Sequence, residues 1–191
     1  MTSKLSDDDR RRKILELHDW YTSSLRVRNR DQILSGLQDR LNEEVDPELR
    51  MVVYSVLIAE CTLQSNREAA LAGAEAQARE FPDESLAWIT LSEIYIRQCK
   101  DSALALSAIE NAVVVARATG KFRRQALQTK ARILREIEKF SDLEKCLMEI
   151  VREPFSIGID IAKEDDFFVN LPSGAISSET ERTYREYMLS T

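Results

Sequence analysis

The chain has 191 residues, 43% of them apolar and 31% charged, a balance that suits one globular domain whose core needs neither metals nor disulfides to hold it. A net charge of −6 and a pI near 5.1 argue against long-range attraction to nucleic acid or to an acidic membrane face. Five Gly and four Pro, set against abundant Ala, Leu, Glu and Arg, leave few turns and much helix former, so the expected class is all-α.

Met1 to Asp9 carries no apolar stretch of signal-peptide type, and no later run approaches the roughly eighteen apolar residues of a membrane span. The expected location is therefore cytoplasmic. Ser6 with Asp9 three residues on forms a capping pattern that opens a first helix, along which Ile14, Leu17, Tyr21 and Leu25 recur at helical spacing beside Trp20. Arg28-Asn29-Arg30 interrupts it. A second helix carries Ile33, Leu34, Leu37 and Leu41 and is expected to stop before Pro47, which disfavours helix at Asp46. Residues 1–46 thus read as an antiparallel hairpin, either a divergent repeat or a cap.

Tyr54 and Trp88 stand thirty-four residues apart, each followed by a leucine three residues on, Leu57 or Leu91, and by Cys61 or Tyr95 seven on. Behind the first aromatic comes the small-residue run Ala70-Leu71-Ala72-Gly73-Ala74, and then Pro82; Gln77 breaks the small-residue pattern. Behind the second come Ala105, Leu106, Ala108, Ile109 and Ala112, with one extra residue between the two sets and a helix continuing to Gly120, a C-terminal cap. A third, weaker pair has Leu127, Ala131 and Leu134, then Phe140, Leu143, Cys146, Leu147 and Ile150, closed by Pro154. Over residues 51–153 the chain resembles the tetratricopeptide repeat family, with repeats at 51–84, 85–119 and about 120–153. The resemblance implies a right-handed superhelix of stacked antiparallel helical hairpins, an α-solenoid.

Residues 154–191 are not repeat sequence: Phe155, Ile157, Ile159 and Ile161 alternate like a strand. Asp165, Asp166, Phe167 and Phe168 form an acidic and aromatic motif. A last short helix is expected from Ser177 or Ser178, with Ser178 and Glu181 as its capping box, offering Tyr184, Tyr187, Met188 and Leu189. This tail either caps the stack or occupies its groove.

The sequence holds no Gly-rich phosphate loop, no H-E-x-x-H and no G-x-S-x-G, and His18 is its only histidine, so neither catalysis nor a metal nor a cofactor is expected. Cys61, Cys99 and Cys146 lack zinc or disulfide spacing and read as buried small hydrophobes. The basic runs Arg10-Arg11-Arg12-Lys13 and Arg26, Arg28, Arg30 lack interleaved aromatics, and the first adjoins three aspartates, which favours charge pairs on a solvated helix over phosphate contacts.

The resemblance further implies that the first helix of each repeat lines a concave groove. That rule selects Val52, Ser55, Ala59 and Thr62, then Leu86, Ile89, Glu93 and Ile96, then Gln128, Arg132 and Arg135. The lysine and asparagine clamp with which some members hold chaperone C-termini is not matched, since Ser55, Ala59 and Thr90 stand at its places. The expectation is a non-catalytic scaffold or adaptor binding an extended or helical partner segment with apolar and acidic residues, with self-association through the tail as a further possibility. The alternatives are a nucleic-acid-associated factor using the basic N-terminal helix and a secretion-type chaperone built on the same repeats.

Overall fold

The computed structural model describes residues 5–153, 167–168 and 171–189, with side chains of the last helix given through Tyr187. Among the described residues every regular element is helical. The chain divides after Phe81 into two compact units.

In the first unit, α1 (Asp7–Val27) opens at Ser6, whose Oγ accepts the N–H of Asp9 at 3.1 Å, and three aspartates complement the helix dipole. It buries less of the anticipated face than its spacing implies: Leu17 and Ser24 are inside, Ile14 and Tyr21 half-buried, and Leu25 is exposed. α2 (Arg30–Glu43) opens with a reciprocal capping box of Asn29 and Gln32 and buries Ile33, Leu37 and Leu41. Pro47 marks a beginning rather than only an end. α3 (Pro47–Leu63) starts four residues before the expected repeat boundary at Met51, because Asp46 caps it through the N–H groups of Glu48 and Leu49 and proline at the first helical position loses no hydrogen bond.

α4 (Arg67–Glu80) presents its small residues to α3: Ala70 and Ala74 are fully buried, and a Cβ on Gly73 would lie 3.1 Å from Ile58 Cγ1. Gln77, the departure from the small-residue pattern, is fully buried and tethers α4 to α3, its amide donating to Ser55 Oγ at 3.3 Å and to the Met51 carbonyl at 3.4 Å. Tyr54 packs edge-on against Phe81 and donates its hydroxyl to Glu80 at 3.0 Å.

In the second unit, α5 (Ser85–Ile94) runs into a π-helical turn (Tyr95–Cys99), followed by α6 (Ser102–Thr119), α7 (Arg123–Glu136), α8 (Phe140–Arg152) and α9 (Ser178–Leu189). The π turn takes up the one residue by which the interval from Tyr95 to Ala105 exceeds that from Cys61 to Ala70. The turns after α3 and α7 each place a left-handed residue, Ser65 or Glu138, before an N–H that bonds the carbonyl five residues back, Asn66 to Cys61 and Lys139 to Leu134, both at 2.9 Å. After the π turn Lys100 is the left-handed residue, and the N–H of Asp101 reaches six residues back to Tyr95 at 3.0 Å. Widening the last helical turn thus keeps the same hairpin closure with one residue more.

α6 is long and apolar enough to meet a length-and-composition test for a membrane span, which the sequence did not lead one to expect. Ala105, Ala108, Ile109, Ala112, Val113 and Ala116 are nonetheless buried in the unit, and Gly120 ends the helix at φ 72° as anticipated. α8 buries Leu143, Cys146, Leu147 and Ile150. The cap of α9 is Ser177 rather than Ser178, since Ser177 Oγ accepts the N–H of Thr180 at 3.2 Å. Glu144 of α8 accepts from both Ser177 and Thr180, and Tyr184 is buried, so α9 covers α8. The strand-like alternation anticipated at 155–161 lies outside the described residues.

Candidate functional site

α5 with its π turn, and α7, enclose a cleft of about 190 Å³ in the second unit. Glu93, Ile96 and Arg97 come from one side, and Thr129, Arg132, Ile133, Arg135 and Glu136 from the other. The local reason is helical register: Thr129, Arg132, Ile133 and Glu136 of α7 stand at i, i+3, i+4 and i+7, one face of that helix, and Ile96 and Arg97 lie in the π turn. Two isoleucines form the apolar part, and three arginines and two glutamates give the lining one net positive charge.

Four of the groove residues expected in this unit, Glu93, Ile96, Arg132 and Arg135, line that cleft. Leu86 is half-buried and outside it. Ile89 and Gln128 are buried, at 2% and 5% exposure, and so offer a partner almost no surface; Ile89 belongs to the core shared with Ala126, Leu127 and Ala131. Ile96 is itself mostly buried and contributes the edge that the cleft leaves open. In the first unit Val52, Ser55 and Thr62 are half-buried and Ala59 exposed along α3. Ser55 is occupied within the unit, donating to the Met51 carbonyl at 3.0 Å and accepting from Gln77.

Arg135 is already engaged by the tail. Its Nη1 donates to the Phe167 carbonyl at 3.2 Å and its guanidinium lies 4.8 Å from the Phe167 ring centre. Phe167 is buried, Phe168 packs edge-on against Tyr184 and takes Arg185 on its ring, and Arg124 of α7 lies over Tyr187. The tail therefore both covers α8 and reaches the arginine-bearing face of α7. Asp165 and Asp166 lie outside the described residues.

Of the N-terminal basic run, Arg10 is buried while Arg11 and Arg12 are exposed. Arg10, expected on a solvated face, is buried against Asp46, with both nitrogen-to-oxygen distances at 3.3 Å, and also meets Asp7 at 3.0 Å. Arg12 pairs with Asp9 and Lys13 with Glu44. Burial opposes ionisation of Asp46, but the Arg10 guanidinium and the N–H groups of Leu49 and Glu48 together hold its carboxyl below the usual value. Arg28 rests over Trp20, and Arg30 pairs at 3.3 Å with the buried Glu60, which Tyr21 and Gln64 also contact. His18 is exposed beside Asp19.

Of the cysteines, Cys61 and Cys146 are buried and Cys99, in the π turn, is half-exposed, because the widened turn carries it to the edge of the helix pair. Burial pushes the Cys146 thiol up to about 12. Among the described residues no group of three or more His, Cys, Asp or Glu side chains is placed to hold a metal ion. Comparison with family models, with curated proteins and with solved structures finds no match to the chain.

Proposed function

We propose that the protein is a non-catalytic interaction scaffold built from hairpins of tetratricopeptide-repeat type, and that the cleft between the π turn and α7 holds a segment of a partner protein. The observation that carries this reading is the convergence of Arg97 and Arg132 in one cleft beside the edge of the mostly buried Ile96, guanidinium donors next to a narrow apolar strip. An extended segment with an apolar residue and a neighbouring carboxylate fits it, the carboxylate taking charge-assisted hydrogen bonds that orient the chain. The repeat reading draws support from the shared closure of the three hairpins at Ser65, Lys100 and Glu138. No observation favours nucleic acid, because Arg10, Arg12 and Lys13 of the basic run that would contact phosphate are paired with acidic side chains.

The test is capture from the host lysate with the full chain, comparing wild type with the Arg97→Glu, Arg132→Glu double variant. Arg135 is left intact because it also holds the tail. The expected result is a stoichiometric partner whose retention falls at least about tenfold in a variant of unchanged thermal midpoint, the loss a charge-assisted contact commands. Equal retention by both proteins removes the cleft from the proposal, and retention of nucleic acid alone would overturn the scaffold reading.

A further inference from the structure

The solvent side of α6 differs from that of α8. Among the exposed residues of α6 only Glu110 and Arg117 carry charge, whereas those of α8 are Ser141, Asp142, Lys145 and Arg152. Ala105, Ile109, Ala112 and Ala116 turn one side of α6 into the core, and Ala103, Ser107, Val114 and Ala118 return on the other at steps of four and seven residues. Val114 is 63% exposed, Leu104 at the start of the helix 47%, and Phe122 just past the Gly120 cap 45%. Apolar surface of this kind is left in water unless another molecule covers it.

The two charges of the face point to the occupant. Glu110 and Arg117 are seven residues apart, so they share one edge of the face, equally far on either side of the Val113–Val114 peptide bond. A second α6 laid antiparallel about that point sets Glu110 of each copy beside Arg117 of the other. A parallel one sets like charge against like. The antiparallel register also brings Leu104 of one copy to the level at which Phe122 of the other is exposed. Each charge has a contact within its own chain, Arg117 with Glu149 at 2.5 Å and Glu110 with Lys130 at 3.7 Å. Their side chains nonetheless keep 51% and 57% exposure, and a guanidinium has five N–H donors to share.

We propose that α6 is a self-association surface, on which a second copy of the chain docks with its own α6 in antiparallel register. Both copies use the same patch, so the contact closes as a dimer. Ser107 and Asn111 interrupt the apolar strip, and one helix pair is a small interface, so the dimer is a weak one. No residue of the α7 cleft takes part, so either proposal is able to fail without the other.

Sedimentation velocity of the full chain over a range of concentrations tests the proposal. The expected result is a mass rising from one chain towards two, half-associated near about 100 µM, as suits a small interface. Val114→Glu should raise that concentration at least about tenfold, with the thermal midpoint unchanged because the residue is exposed. Glu110→Arg and Arg117→Glu should each weaken association by a similar factor, since each sets like charges together. An equimolar mixture of those two variants should recover the association of the wild type, with arginine facing glutamate at both contacts although both chains stay net negative. A chain that remains monomeric at about 1 mM, whether or not it sediments with phosphatidylcholine vesicles, overturns the proposal. Association that Val114→Glu leaves unchanged also overturns it, and a mixture that associates no better than its components overturns the antiparallel register.

Discussion

Ion pairs join separate elements in both units of this protein, but those of the first reach deeper: Asp46 and Glu60 are buried, whereas Arg117 with Glu149 and Lys130 with Glu110 of the second lie partly exposed. In the second, one continuous apolar cluster extends from Ile89 and Ile96 through Ile109, Leu127, Leu134, Leu143 and Leu147 to Phe167 and Tyr184. In the first, the apolar contacts at Ile33, Leu37, Leu41 and Leu57 are joined by ion pairs that tie separate elements together: Arg10 with Asp46, Lys13 with Glu44, Arg50 with Glu80, and Arg30 with Glu60. Apolar burial is insensitive to pH and roughly proportional to area, whereas a partly buried ion pair fixes register and depends on protonation. The lesson is that hairpins of similar outline differ in how much charge they bury, and buried charge and buried apolar area fail in different ways.

The largest expected effect falls on the apolar cluster. Leu147 is fully buried, so Leu147→Ala should cost about 3 kcal/mol through lost transfer energy and the cavity left behind. Urea unfolding at pH 7 and again at pH 5 measures it, and the loss should be the same at both. A smaller effect is expected where α4 approaches α3. Gly73→Val places branched carbon against Ile58, whose Cγ1 already stands 3.1 Å from where a Cβ would fall, and should cost about 2 kcal/mol by overpacking. Gly73→Ala should be close to neutral, since the small adjustment of Ile58 is offset by the better helix propensity of alanine.

Acid should weaken the first unit through its carboxylates. Hydrogen bonds and charge from Arg50, against some opposition from burial, hold Glu80 below its ordinary 4.5, and Asp46 lies below its ordinary 3.8 for the reasons given above. A carboxyl lowered in the folded state contributes in full above its ordinary value, and that contribution is lost as pH falls from there through the lowered one. The urea midpoint should therefore drop below about pH 4, in the usual carboxylate range. Asp46→Asn keeps a side-chain acceptor for the α3 N-terminus but removes the charge facing Arg10. Its midpoint should be lower than wild type at pH 7 and fall less on acidification; parallel curves would show that Asp46 is not a source of the acid sensitivity.

Much of the helical content was legible because it rests on local signals. The Ser6 cap, the spacing of Ile33, Leu37 and Leu41, the alanine run of α4 and the stop at Gly120 each act within a few residues of themselves. Pro47 was read as a terminator because a proline disfavours helix before it, and the same property makes it a good first residue once Asp46 supplies the cap. The π turn left a trace, the extra residue between Tyr95 and Ala105, but spacing alone does not say whether a loop or a helix absorbs it. Arg10 against Asp46 spans thirty-six positions and has no local signature. Gly36 within α2 was a clue to the seating of Trp20, whose ring lies 2.6 Å from where a Cβ on that residue would stand, since a glycine inside a helical pattern often marks a close approach. For the cleft at α7, the repeat resemblance is what pointed to Arg132 and Arg135, while the burial of Ile89 and Gln128 depends on neighbours that neither resemblance nor spacing reveals.

The smallest predicted effects bear on whether the three hairpins are one kind of unit. Ser65, Lys100 and Glu138 each close a hairpin with φ between 56° and 59°, a conformation that disfavours residues bearing a Cβ by about 1–2 kcal/mol. Glycine relieves that strain at an entropic cost of about 0.5–1 kcal/mol, so each substitution by glycine should stabilise by about 0.5 kcal/mol or slightly more. The side chains lie in separate turns, so the gains should add in the triple variant, measured as a rise in urea midpoint at constant slope. Equal gains at Ser65 and Glu138 would mean that the two closures are energetically as well as geometrically alike. Lys100 is the sharper case, because its turn follows the π-helical widening: a gain matching the other two would place the strain in the left-handed residue alone, and a smaller gain would mean that part of it resides in the π turn that shapes the cleft.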